Sequence, residues 1–85
     1  MEQIKTEALI ILMEECGELI QACSKIIRTN NSSVYRKQLQ DEIGDVLTLI
    51  EWVKKHGFVT DEQIKIRMEE KKEKLKKWSR LYGTV

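Results

Sequence analysis

The sequence contains no proline, four glycines, two cysteines and one histidine among its 85 residues. This scarcity of helix breakers favours long helices. Cys16, Cys23 and His56 are the only cysteines and histidine, which argues against a four-ligand zinc site. We therefore expect a single helical domain over residues 1–85 whose chemistry does not use zinc.

The sequence also lacks a long hydrophobic run. Its longest uninterrupted apolar stretch, Ala8–Met13, has six residues, whereas a membrane-spanning helix needs roughly 20. The first residues, Met1–Ile4, have neither the basic nor the apolar block of a signal peptide. We expect no membrane partner and a cytoplasmic location.

In a reducing cytoplasm, Cys16 and Cys23 are expected to be small buried thiols. They lie seven residues apart in a helical pattern. Their Cα atoms would then be about 10.5 Å apart, beyond the ~7 Å that a disulfide allows. A bond between them within one chain is therefore excluded.

No strong excess of either charge is present. The formal net charge of +1 gives no general attraction to nucleic acid, and no nucleic-acid partner is expected. The charges are unevenly distributed, however. Residues 1–51 contain nine acidic and five basic side chains, and residues 52–85 contain five acidic and ten basic ones. An acidic N-terminal part and a basic C-terminal part suit a site that binds cations and phosphates together.

Two helices are predicted in the first part of the chain. Residues 2–28 are helically periodic, and the turn-forming segment Asn30–Ser33 ends this helix. A second periodic stretch runs from about Val34 to His56, and Gly57 is a suitable residue to end it.

A third helix is predicted to begin at Thr60–Gln63, which has the pattern of a capping box. It should continue to about Tyr82, with Gly83 as its stop. No segment shows strand alternation. The fold class is therefore all-α, with a three-helix chain.

Helix 1 is apolar around about half of its circumference at roughly 100° per residue. Glu15 projects into the middle of its main apolar arc, and Glu18 lies at the edge of that arc. The main arc contains Ile4, Ala8, Ile11, Leu12, Leu19, Ala22 and Ile26, and a flank adds Leu9, Cys16, Ile20 and Ile27.

Helix 2 has a similar arrangement. Glu42 falls inside its apolar stripe, and Asp45 lies at the border between Leu49 and Trp52. The stripe contains Leu39, Ile43, Val46, Leu49, Ile50 and Val53. Both helices thus direct a carboxylate pair, spaced i and i+3, towards the core, where carboxylates are rare without a partner.

A bound cation would explain these four carboxylates. Repulsion and burial would otherwise protonate them, the two stripes contain no Lys or Arg, and shared protons suit one pair better than four groups. Oxygen ligands on rigid helices suit Mg²⁺, or alternatively Mn²⁺. We therefore predict a metal site; two solvated carboxylate pairs are the alternative. The predicted ligands are Glu15, Glu18, Glu42 and Asp45.

The same residues resemble a known family. Glu15 and Glu18, followed after 23 intervening residues by Glu42 and Asp45, are similar to the E-x-x-E…E-x-x-D signature of MazG-like pyrophosphohydrolases. These belong to the all-α NTP pyrophosphatase superfamily. The basic end of the third helix resembles compact phage and bacterial members. A phage-encoded protein would act in the host cytoplasm.

The resemblance implies hydrolysis of a nucleoside triphosphate between its α- and β-phosphates, giving a monophosphate and pyrophosphate. It also implies Mg²⁺ at the four carboxylates and a homodimer or homotetramer. Glu18 is the first candidate for the general base that accepts a proton from water. Glu14, which lies beside Glu18 and off the apolar arc, is the second candidate; an exposed helix charge is its alternative.

Four further residues are candidate substrate contacts. Lys25 lies two turns after Glu18 on the same face, and a surface lysine is the alternative. Lys71 and Lys74 share a face of helix 3 and are candidate phosphate ligands, unless they pair with nearby glutamates. Trp52 is placed to wall a base pocket, or else belongs to the core.

The apolar flank of helix 1 also predicts assembly, because two further helices cannot cover it. We expect helices 1 and 2 of two chains to form a four-helix-bundle core, with helix 3 closing over the site. The alternatives are a phosphoribosyl-ATP pyrophosphatase, a helical nucleic-acid-binding module and a dimerisation domain without chemistry. Six basic residues within 71–80 support the second of these, but the single aromatic residue among them, Trp78, does not make a series of stacking positions.

Overall fold

The computed structural model describes residues 1–78 and 80. They form α1 (Gln3–Arg28), α2 (Ser33–Lys55) and α3 (Asp61–Trp78), with no strand in this part of the chain. The predicted all-α, three-helix fold is confirmed. The predicted end of helix 3 at Tyr82, with its stop at Gly83, lies outside the described residues.

The turn after α1 reverses the chain. The backbone N–H of Asn30 donates to the carbonyl of Ile27 at 3.4 Å, and that of Asn31 donates to the carbonyl of Ile26 at 2.9 Å. This is a Schellman motif. Asn30 and Asn31 have φ values of 54° and 74°, a left-handed conformation that Asn tolerates better than most residues. α2 therefore runs back along α1 as an αα-hairpin.

α2 ends in the same motif, and here glycine is required. Gly57 has a φ of 83°. Its N–H donates to the carbonyl of Lys54 at 2.9 Å, and the N–H of Phe58 donates to the carbonyl of Val53 at 3.3 Å. The predicted helix end at Gly57 is thus confirmed.

α3 begins with the predicted capping box. The N–H of Gln63 donates to Oγ1 of Thr60 at 3.1 Å, and the N–H of Thr60 donates to Oε1 of Gln63 at 3.0 Å. An ion pair also links the end of α2 to the start of α3. Nζ of Lys54 lies 2.6 Å from Oε1 of Glu51 and 2.7 Å from Oδ1 of Asp61.

α1 and α2 pack together, whereas α3 has little contact with either. Among the described residues only Ala8, Ala22, Val53 and Glu42 are buried. The radius of gyration is 15.5 Å, compared with roughly 12 Å for a compact chain of this length. A single chain is therefore a hairpin of α1 and α2 from which α3 extends, and its core is very small. Within one chain, α3 does not cover the predicted site.

Two further features bear on the sequence analysis. Cys16 and Cys23 are both exposed, so the prediction that they are buried is wrong for the single chain, because they lie on a face of α1 turned away from α2. In residues 1–78 and 80, no helix is both long enough and apolar enough to cross a membrane.

Candidate metal centre

The hairpin brings three of the four predicted metal ligands together. Carboxylate oxygens of Glu15 and Glu18 on α1 and of Glu42 on α2 all lie within 4.8 Å of one another. Glu42 is buried, Glu15 is partly buried and Glu18 is exposed. The cluster therefore has a closed side between the helices and an open side at Glu18.

Asp45 lies beside this cluster rather than within it. Its carboxylate is exposed and does not join the group defined by the 4.8 Å distance. Its negative charge nevertheless contributes to raising the pKa of both Glu15 and Glu42. Asp45 thus borders the open side of the cluster, as its position at the edge of the α2 stripe predicted.

The protonation of the cluster reflects its burial and crowding. Burial, together with the nearby carboxylates of Glu18, Glu15 and Asp45, raises the pKa of Glu42 from 4.5 to about 7, and burial is the largest of these causes. Burial likewise raises the pKa of Glu15, followed by the charges of Glu18 and Asp45, while its contact with Glu42 acts in the opposite direction. Without a cation, the site retains a proton near neutral pH.

The cluster also contains polar atoms that lack a partner. Oε2 of Glu15 and Oε2 of Glu42 are buried, and neither has a hydrogen-bond partner in the described part of the chain. Buried oxygens are normally satisfied, and leaving them unpaired is costly. The salt bridges of residues 1–78 and 80 all lie elsewhere. A cation supplied from solution would satisfy both oxygens.

The donor set fits a hard divalent cation. Mg²⁺ and Mn²⁺ prefer carboxylate, water and phosphate oxygens. Glu15, Glu18 and Glu42 supply only carboxylate oxygens, and the exposed side at Glu18 and Asp45 leaves room for water and phosphate. Helical bundles build metal sites from facing carboxylates in this way.

None of the predicted lysine contacts forms a salt bridge with the cluster in the described part of the chain. Nζ of Lys25 lies 5.6 Å from the centre of the Tyr35 ring, a cation–π distance. Lys71 and Lys74 are exposed on α3 and form no salt bridge among the described residues; the pairs on this helix are Lys72 with Glu69 and Lys76 with Glu73. Glu14, the second candidate base, is exposed and outside the cluster.

Trp52 lines an apolar groove instead of joining the core. The groove has a volume of about 370 Å³, and Trp52 remains 45% exposed. Nζ of Lys55 lies 5.1 Å from the indole ring centre, and the His56 ring centre lies 5.8 Å from it. The groove is lined by Ile4, Glu7, Ala8, Ile11, Leu49 and Trp52.

This groove adjoins the carboxylate cluster. Ile11 precedes Glu15 by four residues, and Leu49 follows Asp45 by four residues, so each lies one helical turn from a predicted ligand. Sequence analysis identified Trp52 but missed Glu7, the acidic residue of the lining. The sequence pattern that could have indicated the groove is the series Ile4, Ala8 and Ile11, which ends one turn before Glu15. The same pattern is equally typical of an ordinary hydrophobic core.

The fold and the site together indicate the class of this protein, which is an all-α hairpin protein with facing, partly buried carboxylates. The family model for the MazG nucleotide pyrophosphohydrolase domain matches residues 3–80, and the chain belongs to this family. No curated protein and no solved structure matches the chain. Family membership indicates a hydrolase of the nucleotide pyrophosphohydrolase type.

Proposed function

We propose that the protein hydrolyses nucleoside or deoxynucleoside triphosphates between the α- and β-phosphates, releasing a monophosphate and pyrophosphate. The observation that carries this proposal is the pair of buried, unpaired carboxylate oxygens of Glu15 and Glu42 beside Glu18. A phosphate-bound divalent cation is the ligand that such a site would accept. The family match supports the same class of reaction. We expect the reaction to occur in the cytoplasm, where these nucleotides are found.

Glu15, Glu18, Glu42 and Asp45 would hold Mg²⁺, with Mn²⁺ as the alternative. When bound, the ion would neutralise the triphosphate and lower the pKa of a coordinated water. We propose that the carboxylate of Glu18, which is exposed on the open side, accepts the proton of the attacking water. Glu14 is the second candidate for this role, because it is adjacent to Glu15 and open to solvent.

The phosphates require positive side chains beyond the metal site. Lys25 follows Glu18 by two turns and would contact the outer phosphates from the same chain. Lys71 and Lys74 are exposed, and their helix does not approach α1 and α2 of its own chain closely. We propose that they reach the site of a second copy, in a homodimer or homotetramer.

We propose that the apolar groove binds the base of the nucleotide. Its lining at Ile11 and Leu49 begins one turn from the cluster, and the exposed face of Trp52 suits stacking with a flat ring. The carboxylate of Glu7 would accept a hydrogen bond from an amino group on the base. The sugar would then lie between the groove and the cluster.

Analysis of the products tests the proposed bond cleavage. Purified protein should be incubated with the common nucleoside and deoxynucleoside triphosphates and Mg²⁺, and the products followed by phosphorus NMR. We expect pyrophosphate and monophosphate in equal amounts, and no reaction when Mg²⁺ is replaced by a chelator. Release of inorganic phosphate and a diphosphate, or no cleavage of any of these nucleotides, would overturn the proposal.

A further inference from the structure

The apolar groove contains one side chain that hydrophobic contact does not explain. Among the residues that line it, Glu7 is the one with a charged side chain. Glu7 is exposed, and it forms no salt bridge within residues 1–78 and 80. Its carboxylate is therefore available to accept hydrogen bonds from a molecule that enters the groove.

Glu7 and Trp52 lie on the same side of the hairpin as the open side of the cluster. At roughly 100° per residue, Glu7 is about 20° from Glu18 around α1, and Trp52 is about 20° from Asp45 around α2. Glu7 also precedes Glu15 by eight residues, which is about 12 Å along the helix axis. A nucleoside with its α-phosphate can span this length, so a single nucleotide can reach both Glu7 and the cluster.

The groove presents a flat ring on one helix and a carboxylate on the other. Trp52 belongs to α2 and Glu7 to α1. A base that stacks on the indole of Trp52 is held by its face, and its edge would then meet the carboxylate of Glu7. The groove volume of about 370 Å³ is within the usual range of small-molecule sites. The hydrogen-bonding edge of the base is therefore what Glu7 can distinguish.

A carboxylate distinguishes the common bases by the hydrogen bonds that they donate. When ionised, it accepts hydrogen bonds through two oxygens and donates none. Guanine presents two adjacent donors, N1–H and the 2-amino group, which can pair with both oxygens at once. Adenine and cytosine have a ring-nitrogen acceptor beside the amino group, and uracil and thymine have N3–H between two carbonyl oxygens. Pairing with these four bases places an acceptor next to the carboxylate, which weakens binding.

We propose that Glu7 makes the groove selective for guanine, so that guanosine or deoxyguanosine triphosphate is the preferred substrate. This inference rests on the proposed function, which assigns the groove to the base. The two oxygens of Glu7 accept hydrogen bonds from N1–H and from the 2-amino group, while Trp52 stacks on the ring. Glu7 is thus a specificity-determining residue, which selects the base and takes no part in breaking the phosphate bond.

Three triphosphates that differ at C2 of the purine ring test this pairing. GTP has an amino group at C2, ITP has a hydrogen, and XTP has a carbonyl oxygen that repels a carboxylate. For the wild type we expect kcat/KM to be about tenfold or more higher for GTP than for ITP, because a hydrogen bond to a charged group is lost, and to be lowest for XTP. Similar values for GTP and ITP, or a higher value for ATP, CTP or UTP than for GTP, overturn the proposal.

Glu7→Gln should reverse the order of GTP and XTP. A glutamine amide accepts through its oxygen and donates through its nitrogen. These groups match N1–H and the C2 carbonyl of XTP, and they do not match the two donors of GTP. Glu2→Gln, which makes the same change at an exposed glutamate outside the groove, should keep the wild-type order. A Glu7→Gln variant that prefers GTP as strongly as the wild type does overturns the proposal.

The same three nucleotides separate this proposal from the proposed reaction. If all are cleaved with similar kcat/KM, the reaction stands and the guanine selectivity is overturned. If none is cleaved, the proposed function fails, and the dissociation constants of the intact triphosphates, measured by titration calorimetry, decide the base preference. In that case, GTP binding about tenfold or more tighter than ITP supports the selectivity, and similar or undetectable binding overturns it.

Discussion

Glu42 on α2 and Glu18 on α1 have carboxylate oxygens within 4.8 Å of each other, although nothing in their sequence separation of 24 residues requires them to meet. One is buried and the other is exposed. The contact raises the pKa of Glu42, which marks a site with too much negative charge for its surroundings. A cation removes that excess, and the predictions below follow from this relationship.

Removing a single carboxylate should separate stability from activity. Glu15→Gln or Asp45→Asn is expected to lower turnover by about 100-fold or more, since even outer-shell partners of metal ligands are worth roughly 10–100-fold. The metal-free variant should melt at the same temperature as the wild type or higher, because a repulsive charge has been removed. Steady-state kinetics and calorimetry in a chelator measure both effects.

Asp41→Asn is the matched control for these variants. Asp41 is exposed on α2 next to Glu42, and its one salt bridge within residues 1–78 and 80 is with Lys37 at the surface, an interaction of little energetic value. It should keep wild-type turnover. Activity within a few-fold of wild type in both Glu15→Gln and Asp45→Asn would remove the basis for the metal site.

The stability of the metal-free protein should depend on pH with a defined sign. Glu42 has a pKa of about 7 when folded, against an ordinary value of 4.5. The folded chain therefore holds this proton more tightly than the unfolded chain does. The contribution of Glu42 to the free energy of unfolding is greatest below about pH 4.5, falls as the pH rises to about 7, and then levels off.

Comparison with Glu42→Gln isolates this effect from other carboxylates. The wild type should lose melting temperature relative to this variant between pH 4.5 and 7, in a chelator. Adding Mg²⁺ at pH 8 should raise the melting temperature of the wild type but hardly affect the variant, since a cation binds the deprotonated ligands. If the melting temperatures of the two proteins change by the same amount between pH 4.5 and 7, the assignment of the proton to Glu42 is contradicted.

The basic face of α3 should matter at one position and not at its neighbour. Lys74→Ala is expected to weaken substrate binding or turnover more than Lys77→Ala, because only Lys74 shares the face of Lys71. If α3 serves a second copy, mixing Glu15→Gln with Lys74→Ala should recover activity that neither variant has alone. Equal and small effects of both alanine variants would make the basic run an ordinary solvated surface.

Trp52 should report directly on base binding. Trp78→Phe leaves it as the sole tryptophan, because the chain has only two. A nucleotide seated in the groove should then change the fluorescence of this variant in a saturable way, and Trp52→Ala should weaken nucleotide binding by ~1–3 kcal/mol, the usual range for base stacking. Saturable binding of nucleotide without any change in fluorescence would place the base elsewhere.

The helices could be predicted from sequence because their signals are local. Asn30, Gly57 and the Thr60–Gln63 capping box each act within a few residues, and the structure shows each in the predicted role. The positions of Glu15 and Glu42 relative to the apolar stripes of their helices could also be predicted from the sequence, because helical periodicity alone determines which face a residue occupies.

The exposure of individual residues could not be predicted in the same way. Cys16 and Trp52 are apolar residues at helical spacing, and that pattern does not distinguish a core from an interface or a groove. The groove next to the cluster depends on how α1 and α2 pack together at their ends. The direction of α3 depends in part on the ion pair between Lys54 on α2 and Asp61 at the start of α3, a contact between side chains that no local pattern specifies.

Direct binding of Mn²⁺ to the nucleotide-free protein tests the central claim, that Glu15, Glu18 and Glu42 form a metal centre. Free Mn²⁺ can be measured by electron paramagnetic resonance during a titration at pH 8, with the wild type, Glu42→Gln and the control Asp41→Asn. We predict saturable binding to the wild type and the control, and its loss in Glu42→Gln. Equal binding by all three proteins, or no binding by the wild type, would contradict the account.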